Sequence, residues 1–301
     1  MKILLEEMMG VYEKSRPWYE VAEHPLEPKL VGGLKNCLSD IDLVLLDSYG
    51  VLCRGSDVIP EALDAIAYLK GNNIPYCIIS NDTMNGRRTV ESKYEKLGYT
   101  LKKSEIVTSL DVVERYLEKQ DELSSFAATG FNDSALKERF PEIQDLNTDQ
   151  GHVRDGVKNL LYFVGKYWES EMQENLINTS KKVQNIIVGN PDVGAPEEDT
   201  FVSTPGFYVE DFYAKTGFKK KPLLLGKPSI AIFEQTLEHI NYTGKAENVL
   251  MVGDSLHTDI LGGAAMGFKT LLLRSGIFRA GGAEKYIKKT GIVPNYIAST
   301  L

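Results

Sequence analysis

The feature that most constrains the fold of this chain is a recurring unit. A short apolar run ends on a polar residue, and a helix pattern follows. Leu43–Leu46 stops at Asp47, Ile74–Ile79 stops at Ser80, Leu250–Gly253 stops at Asp254, and Lys269–Leu273 is a further run. After the first run, Pro60 opens a helix with Ala62, Ala65, Ile66 and Leu69 on one face, and Lys70–Gly71 stops it. After the second, a helix pattern continues to Leu97 and Gly98 closes it. Runs with no polar alternation, separated by helices, predict strands buried on both faces, hence a parallel sheet in an α/β layered fold. Ligands of such sheets sit beyond the carboxyl ends of the strands. Asp47, Ser80 and Asp254, distant in sequence, are therefore expected at one edge.

At 301 residues the chain has room for about two domains. The stretch from 84 to 220 has strand-like runs of its own, at Leu160–Val164 and Asn185–Val188, and reads as a domain inserted into the first. The expected division is an N-terminal extension over 1–38, a core over 39–83 and 221–301, and an inserted domain over 84–220. Gly32–Gly33 reads as a hinge after the extension.

A net charge of −8, spread along the chain, argues against nucleic acid or an anionic membrane as the partner. An anionic ligand must be met by local cations or a metal. The three cysteines, Cys37, Cys53 and Cys77, form no C-x-x-C pair and offer neither a disulfide framework nor a zinc site. Cys77 lies in an apolar run and reads as a buried thiol. A reducing cytoplasm fits this usage. No apolar run reaches the roughly 18 residues of a membrane span, and Ile3–Leu5 before Glu6 and Glu7 is too short for a signal peptide.

Four segments carry chemistry. In LVLLDSYGVL, a carboxylate at a strand end can act as a nucleophile and form an aspartyl-phosphate; its ordinary alternative is a turn residue. In IISNDT, the Ser80 hydroxyl and the turn's N–H groups suit a phosphate oxygen; the alternative is a helix cap. In LLLGKPSIAIF, Lys227 is held between Gly226 and Pro228 and can neutralise a phosphoryl oxygen; the alternative is a solvated lysine. Lys221 stands where a Walker A loop has glycine, so this is not a P-loop. In LMVGDSLHTDI, Asp254 and Asp259 suit a hard cation such as Mg²⁺; the alternative is acidic helix capping. His257, between them, reads as a surface residue rather than a ligand.

In this order, LLDSYGVL, IISND, GKPS and VGDSLHTD closely resemble the four motifs of the haloacid-dehalogenase-like superfamily. The chain is most similar to subclass IIA, the branch of 4-nitrophenylphosphatase, phosphoglycolate phosphatase and pyridoxal phosphatase. GNPD at 189–192, the long insertion between the second and third motifs, and GAAMGFKTLLLRSG at 263–276 carry that closer likeness, which spans about residues 39 to 280. The resemblance implies a Rossmann-like parallel-sheet core with an inserted α/β cap of the C2 type, which selects substrate and in this branch often pairs into homodimers. It implies Asp47 as nucleophile, Mg²⁺ on Asp47, Asp254 and the Tyr49 backbone carbonyl with Asp259 in support, and Ser80, Asn81 and Lys227 on the phosphoryl group of a small phosphorylated metabolite.

One residue departs from the pattern. The family's phosphatases carry a second aspartate two residues after the nucleophile, which protonates the leaving oxygen and later activates water. Here that residue is Tyr49. Three readings follow: a weakened or restricted phosphatase, a non-catalytic binder of phosphate ligands, and a 2-haloacid dehalogenase, whose motif has Asp-x-Tyr-Gly but lacks the acidic pair of Asp254 and Asp259.

Overall fold

A computed structural model describes residues 1–84, 90–131, 136–163, 167–197 and 200–301. Its largest sheet has seven strands, in the spatial order Lys29–Leu30, Tyr296–Ala298, Lys269–Leu273, Val249–Gly253, Leu43–Leu46, Tyr76–Ser80 and Ile106–Thr108. Every neighbouring pair in it is parallel. Val249–Gly253, Leu43–Leu46 and Tyr76–Ser80 are buried along their whole length, which accounts for their largely apolar sequences. In register, Leu46 lies opposite Val252 on one side and Ile78 on the other. Asp47, Ser80 and Asp254 therefore leave the sheet at one edge.

Helices cover both faces. Pro60–Gly71 buries Ala62, Ala65, Ile66 and Leu69 as its spacing predicts. Ile230–His239 is capped by the Ser229 hydroxyl, which accepts from the Ala231 amide at 3.3 Å. Its Phe233 meets Phe268 edge to face at 5.9 Å. A Cβ on Gly262 would stand 2.6 Å from the Phe233 ring, so only glycine lets the helix Leu261–Ala265 approach this closely.

A second, five-stranded sheet runs in the order Leu223–Leu224, Asn185–Val188, Asn159–Tyr162, Phe126–Ala128 and Gln144–Asp145, also all parallel. A third is antiparallel and joins Lys2–Ile3, Thr200–Ser203 and Gly194–Glu197.

Strand pairing departs from the expected division at three places. Ile106–Thr108, expected in the insertion, pairs with Tyr76–Ser80 and completes the large sheet. Leu223–Leu224, expected in the core, pairs with Asn185–Val188. The N-terminal extension contributes one strand to each of two sheets, Lys2–Ile3 and Lys29–Leu30. All are runs of two or three residues whose partners are set by distant backbone, which local periodicity cannot reveal. Gly33 is pressed against the backbone of Leu301, where a Cβ would lie at 3.1 Å, so packing rather than a pivot accounts for it. The helix pattern before Leu97 is seen as Val90–Lys96, and its residues 85–89 lie outside the described residues, as does Val164. Cys37, Cys53 and Cys77 are buried free thiols, and no described helix is long and apolar enough to cross a membrane.

Phe233 is fully buried at the junction of two helices and the sheet. Phe233→Ala leaves a cavity there and should cost about 3–5 kcal/mol of unfolding free energy, read as a lower urea midpoint with an unchanged slope.

Candidate active site

Asp47 continues its strand, its amide donating to the Val252 carbonyl at 2.9 Å. The chain then turns sharply. The Cys53 amide donates to Ser48 O at 3.1 Å and the Gly50 amide to Cys53 O at 2.7 Å, leading into the small hairpin of Cys53–Arg54 with Asp57–Val58. Gly50, at φ +79°, is glycine for two reasons: the conformation itself, and a hypothetical Cβ that would stand 1.9 Å from Asp254 Oδ2. Gly276 approaches the same carboxylate from another side. Asp254 is thus held between two glycine backbones, and its Oδ2 accepts from the Ile277 amide at 2.8 Å.

Lys227 is buried, not a solvated surface lysine. Its backbone is gripped at two points: its amide donates to Asn81 Oδ1 at 2.7 Å, and its carbonyl accepts from Asn81 Nδ2 at 3.1 Å. The ammonium donates to Asp47 Oδ1 at 2.5 Å and to Asp259 Oδ1 at 2.7 Å. Burial alone would pull this ammonium down, but Asp259 and Asp47 outweigh burial and raise it. The other oxygen of Asp259 accepts from the amides of Asp254 and Ser255 at 3.1 and 3.0 Å, so this carboxylate orders the loop that carries Asp254.

Asp47, Asp254 and Asp259 bring one carboxylate oxygen each to within 4.8 Å of one another. Three carboxylates against one ammonium leave two negative charges in a buried space. Burial pushes the Asp47 carboxyl up to about 7 despite the pull of Lys227. Asp254 is raised as well, by burial and then by Asp47 and Asp259. An all-oxygen donor set with this surplus of negative charge fits a hard divalent cation such as Mg²⁺.

The cluster opens onto a cavity of about 330 Å³. Its floor includes Asp47, Tyr49, Ser80 and Asn81; its roof is made by Asn190, Asp192 and the segments around Ala195 and Ser203. Ser80 is buried, and its hydroxyl accepts from the Asp82 amide at 3.2 Å. All seven residues singled out in the sequence therefore meet: Asp47, Tyr49, Ser80 and Asn81 in the cavity wall, Asp254 beside them, and Lys227 and Asp259 just beneath.

Tyr49 also faces Lys93, whose ammonium stands 4.6 Å from the ring centroid and pairs with Asp82 at 2.8 Å. The Lys93 charge pulls the phenol down, but burial and the carboxylates of Asp82 and Asp47 hold it above the ordinary phenol range. At neutral pH the Tyr49 hydroxyl keeps its proton.

His257 is not at the surface. It is fully buried, its ring stacks on Tyr12 with centroids 4.7 Å apart, and its Nε2 meets the Glu13 carboxylate at 2.7 Å. The wide helical turn Leu256–Ile260 directs it under the N-terminal helix, which motif spacing alone does not disclose. Two further site residues carried no assigned role in the sequence. Asp192, within GNPD, accepts from Asn81 Nδ2 at 2.9 Å and is pushed up to about 6 by burial against the pull of Lys227. Tyr12 lines the cavity from the N-terminal extension, and no motif marks it.

Comparison with known proteins agrees with this geometry. A family model described as haloacid dehalogenase-like hydrolase matches residues 44–139, and a second, HAD-hydrolase-like, matches 224–301. The first stretch carries Asp47, Ser80 and Asn81; the second carries Lys227, Asp254 and Asp259. Among curated relatives, an acid sugar phosphatase of Staphylococcus saprophyticus is 26% identical over 255 residues, covering 84% of this chain and 92% of its own. One of Staphylococcus aureus is 29% identical over 239 residues, covering 77% and 86%. Among solved structures, a possible sugar phosphatase of Cytophaga hutchinsonii superposes with a TM-score of 0.75 at 22% identity, over 91% of this chain and 98% of its own. A p-nitrophenyl phosphatase from Archaeoglobus fulgidus gives 0.69 at 21%, over 87% and 97%. With both family models placed, and between them spanning more than half of its residues, this chain belongs to the haloacid dehalogenase-like hydrolases.

Proposed function

We propose that the protein is an Mg²⁺-dependent phosphoric monoester hydrolase of subclass IIA. It acts through an aspartyl-phosphate on a small phosphorylated metabolite and is restricted by Tyr49. The observation that carries this reading is the Asp47–Lys227–Asp259–Asp254 cluster at the carboxyl edge of the sheet, opening onto a cavity. The names of the curated relatives, acid sugar phosphatases, point to the same class.

In this reading Lys227 engages one oxygen of Asp47, and the other attacks phosphorus. The bond from phosphorus to the ester oxygen breaks, and that oxygen leaves with the electron pair. Water then attacks the acyl-phosphate, releasing inorganic phosphate and restoring the carboxylate. Lys227, Ser80 and Asn81 hold the phosphoryl oxygens. Asp47, Asp254 and the Tyr49 carbonyl would hold Mg²⁺, with Asp259 in support, and the ion would supply charge neutralisation for the phosphoryl group.

A second reading, a non-catalytic binder of phosphate ligands, is favoured by one observation. The residue at the acid–base position is a phenol held above its ordinary range, which can donate a proton but is a poor base. The dehalogenase reading gains nothing from the acidic cluster, since loss of halide needs no cation.

Purified protein should release phosphate from a panel of phosphate esters only when Mg²⁺ is present. Asp47→Asn should reduce release to background with the fold intact, and Asp254→Ala should weaken Mg²⁺ binding by calorimetry. Mg²⁺-independent halide release from 2-chloropropionate would overturn this assignment. Saturable phosphate binding without turnover would favour the binder.

Tyr49 makes the rate depend on the leaving group. A nitrophenolate departs unprotonated and an alkoxide does not, so aryl or acyl phosphates should be strongly preferred to alkyl phosphates. Tyr49→Asp should raise alkyl-ester turnover about tenfold or more, up to the 10² to 10⁴ typical of general acid–base help, and aryl-ester turnover by less. Steady-state kinetics on paired esters measures both.

A further inference from the structure

The N-terminal extension lies before residue 44, where the first family match begins, yet it ties the roof of the cavity to its floor. Lys2–Ile3 pairs with Thr200–Ser203 in the roof. The helix Leu5–Ser15 packs on the helix Pro205–Thr216, and Trp18 meets Tyr213 at 4.6 Å. Lys29–Leu30 then joins the edge of the core sheet beside Tyr296–Ala298.

Tyr12 sits where these connections cross. One face of its ring stacks on His257, only 4° from parallel. Its hydroxyl accepts from the Val193 amide at 3.2 Å, one residue after Asp192, with Ser255 of the core loop alongside. Next to it, Glu13 binds the same His257. The ring is thus fixed by the core through His257 and by the roof through Val193. It cannot swing aside without breaking both contacts, and it forms part of the cavity wall.

We propose that Tyr12 is a specificity-determining residue of this site. It closes one end of the cavity against larger ligands and pins the 190–196 loop over Asp47. The proposal rests on the phosphatase reading for the anionic end of the ligand; the limit on size rests on Tyr12 alone. A cavity of about 330 Å³ lies at the small end of the range for ligand sites, so removing one aromatic wall changes the accessible ligands appreciably.

The test compares phenyl phosphate with 1-naphthyl phosphate, and phenylphosphonate with 1-naphthylphosphonate as non-hydrolysed counterparts, in the full chain with Mg²⁺. Wild type should favour the phenyl compound in both kcat/KM and calorimetric Kd. Tyr12→Leu, which keeps an apolar side chain in the core, should shift that ratio toward naphthyl by about tenfold, the lower end of what a changed apolar pocket contact supplies. Tyr12→Phe keeps the ring and should keep the ratio, while the amides of 190–196 exchange hydrogen faster as the Val193 bond is lost. Thermal denaturation identifies which variants are folded; where Tyr12→Leu is not, Tyr12→Met takes its place. An unchanged ratio in a folded leucine or methionine variant overturns the size limit, and unchanged exchange in Tyr12→Phe overturns the pinning. Absence of turnover in wild type counts against the phosphatase reading, and the phosphonate ratio then still decides the role of Tyr12.

Discussion

The structure depends on one buried ammonium. Lys227 lies between Asp47 and Asp259, and these three groups come from three separate segments: the turns after Leu43–Leu46 and Val249–Gly253 of the large sheet, and the loop after Leu223–Leu224 of the second. Such a network is a poor device for stability. Taking each charge out of water costs several kcal/mol, and apolar packing of equal volume commonly does as well. Its value is positional. The Asn81 side chain fixes the Lys227 backbone, the ammonium fixes Asp47, and Asp259 fixes the loop bearing Asp254 through two amides. Each acid is held by a donor that is itself held, which is how a site keeps its geometry without a ligand.

That network leaves a charge imbalance, and the surrounding backbone is shaped around it. Gly50 and Gly276 close on Asp254, and a Cβ on Gly253 would stand 2.1 Å from the carboxylate carbon of Asp259. Backbone rather than side chains closes on Asp254 and Asp259, and the three carboxylates stay close to one another. The strain of their repulsion falls on protonation, and both Asp47 and Asp254 are driven upward. A divalent cation relieves the same repulsion without a proton. The glycines and the acids are therefore one arrangement, legible together only in three dimensions.

Much of the core was readable because parallel strands are buried on both faces. Leu43–Leu46 and Asn185–Val188 coincide with their apolar runs, and Asp47 and Asp254 follow strands as expected. Where the reading stopped is equally physical. Ile106–Thr108 and Leu223–Leu224 are too short for periodicity to say which sheet they join. His257 looked solvent-facing because a histidine between two acids carries no local sign of what packs over it. That partner, Tyr12, lies 245 residues earlier, in a segment with no motif. Asp192 was visible inside GNPD as a likeness, but its contact with Asn81 joins residues 111 apart in sequence.

Tyr49 is where local chemistry and fold pull in different directions. In the proposed mechanism the cluster beneath it supplies the parts for attack on phosphorus, and none of them depends on the side chain two positions after Asp47. In the proposed mechanism that residue governs the fate of the leaving oxygen. A half-buried phenol beside Lys93 is a poor base at neutral pH, yet its ring adds apolar wall to the cavity. Tyr12 adds aromatic wall from another element. Two tyrosines thus contribute aromatic wall to one cavity. A ligand whose leaving group is small, apolar and stable as an anion makes the fewest demands on such a site. In the proposed mechanism, the tyrosine that stands in the acid's place therefore also shapes the space for the substrates that do without it.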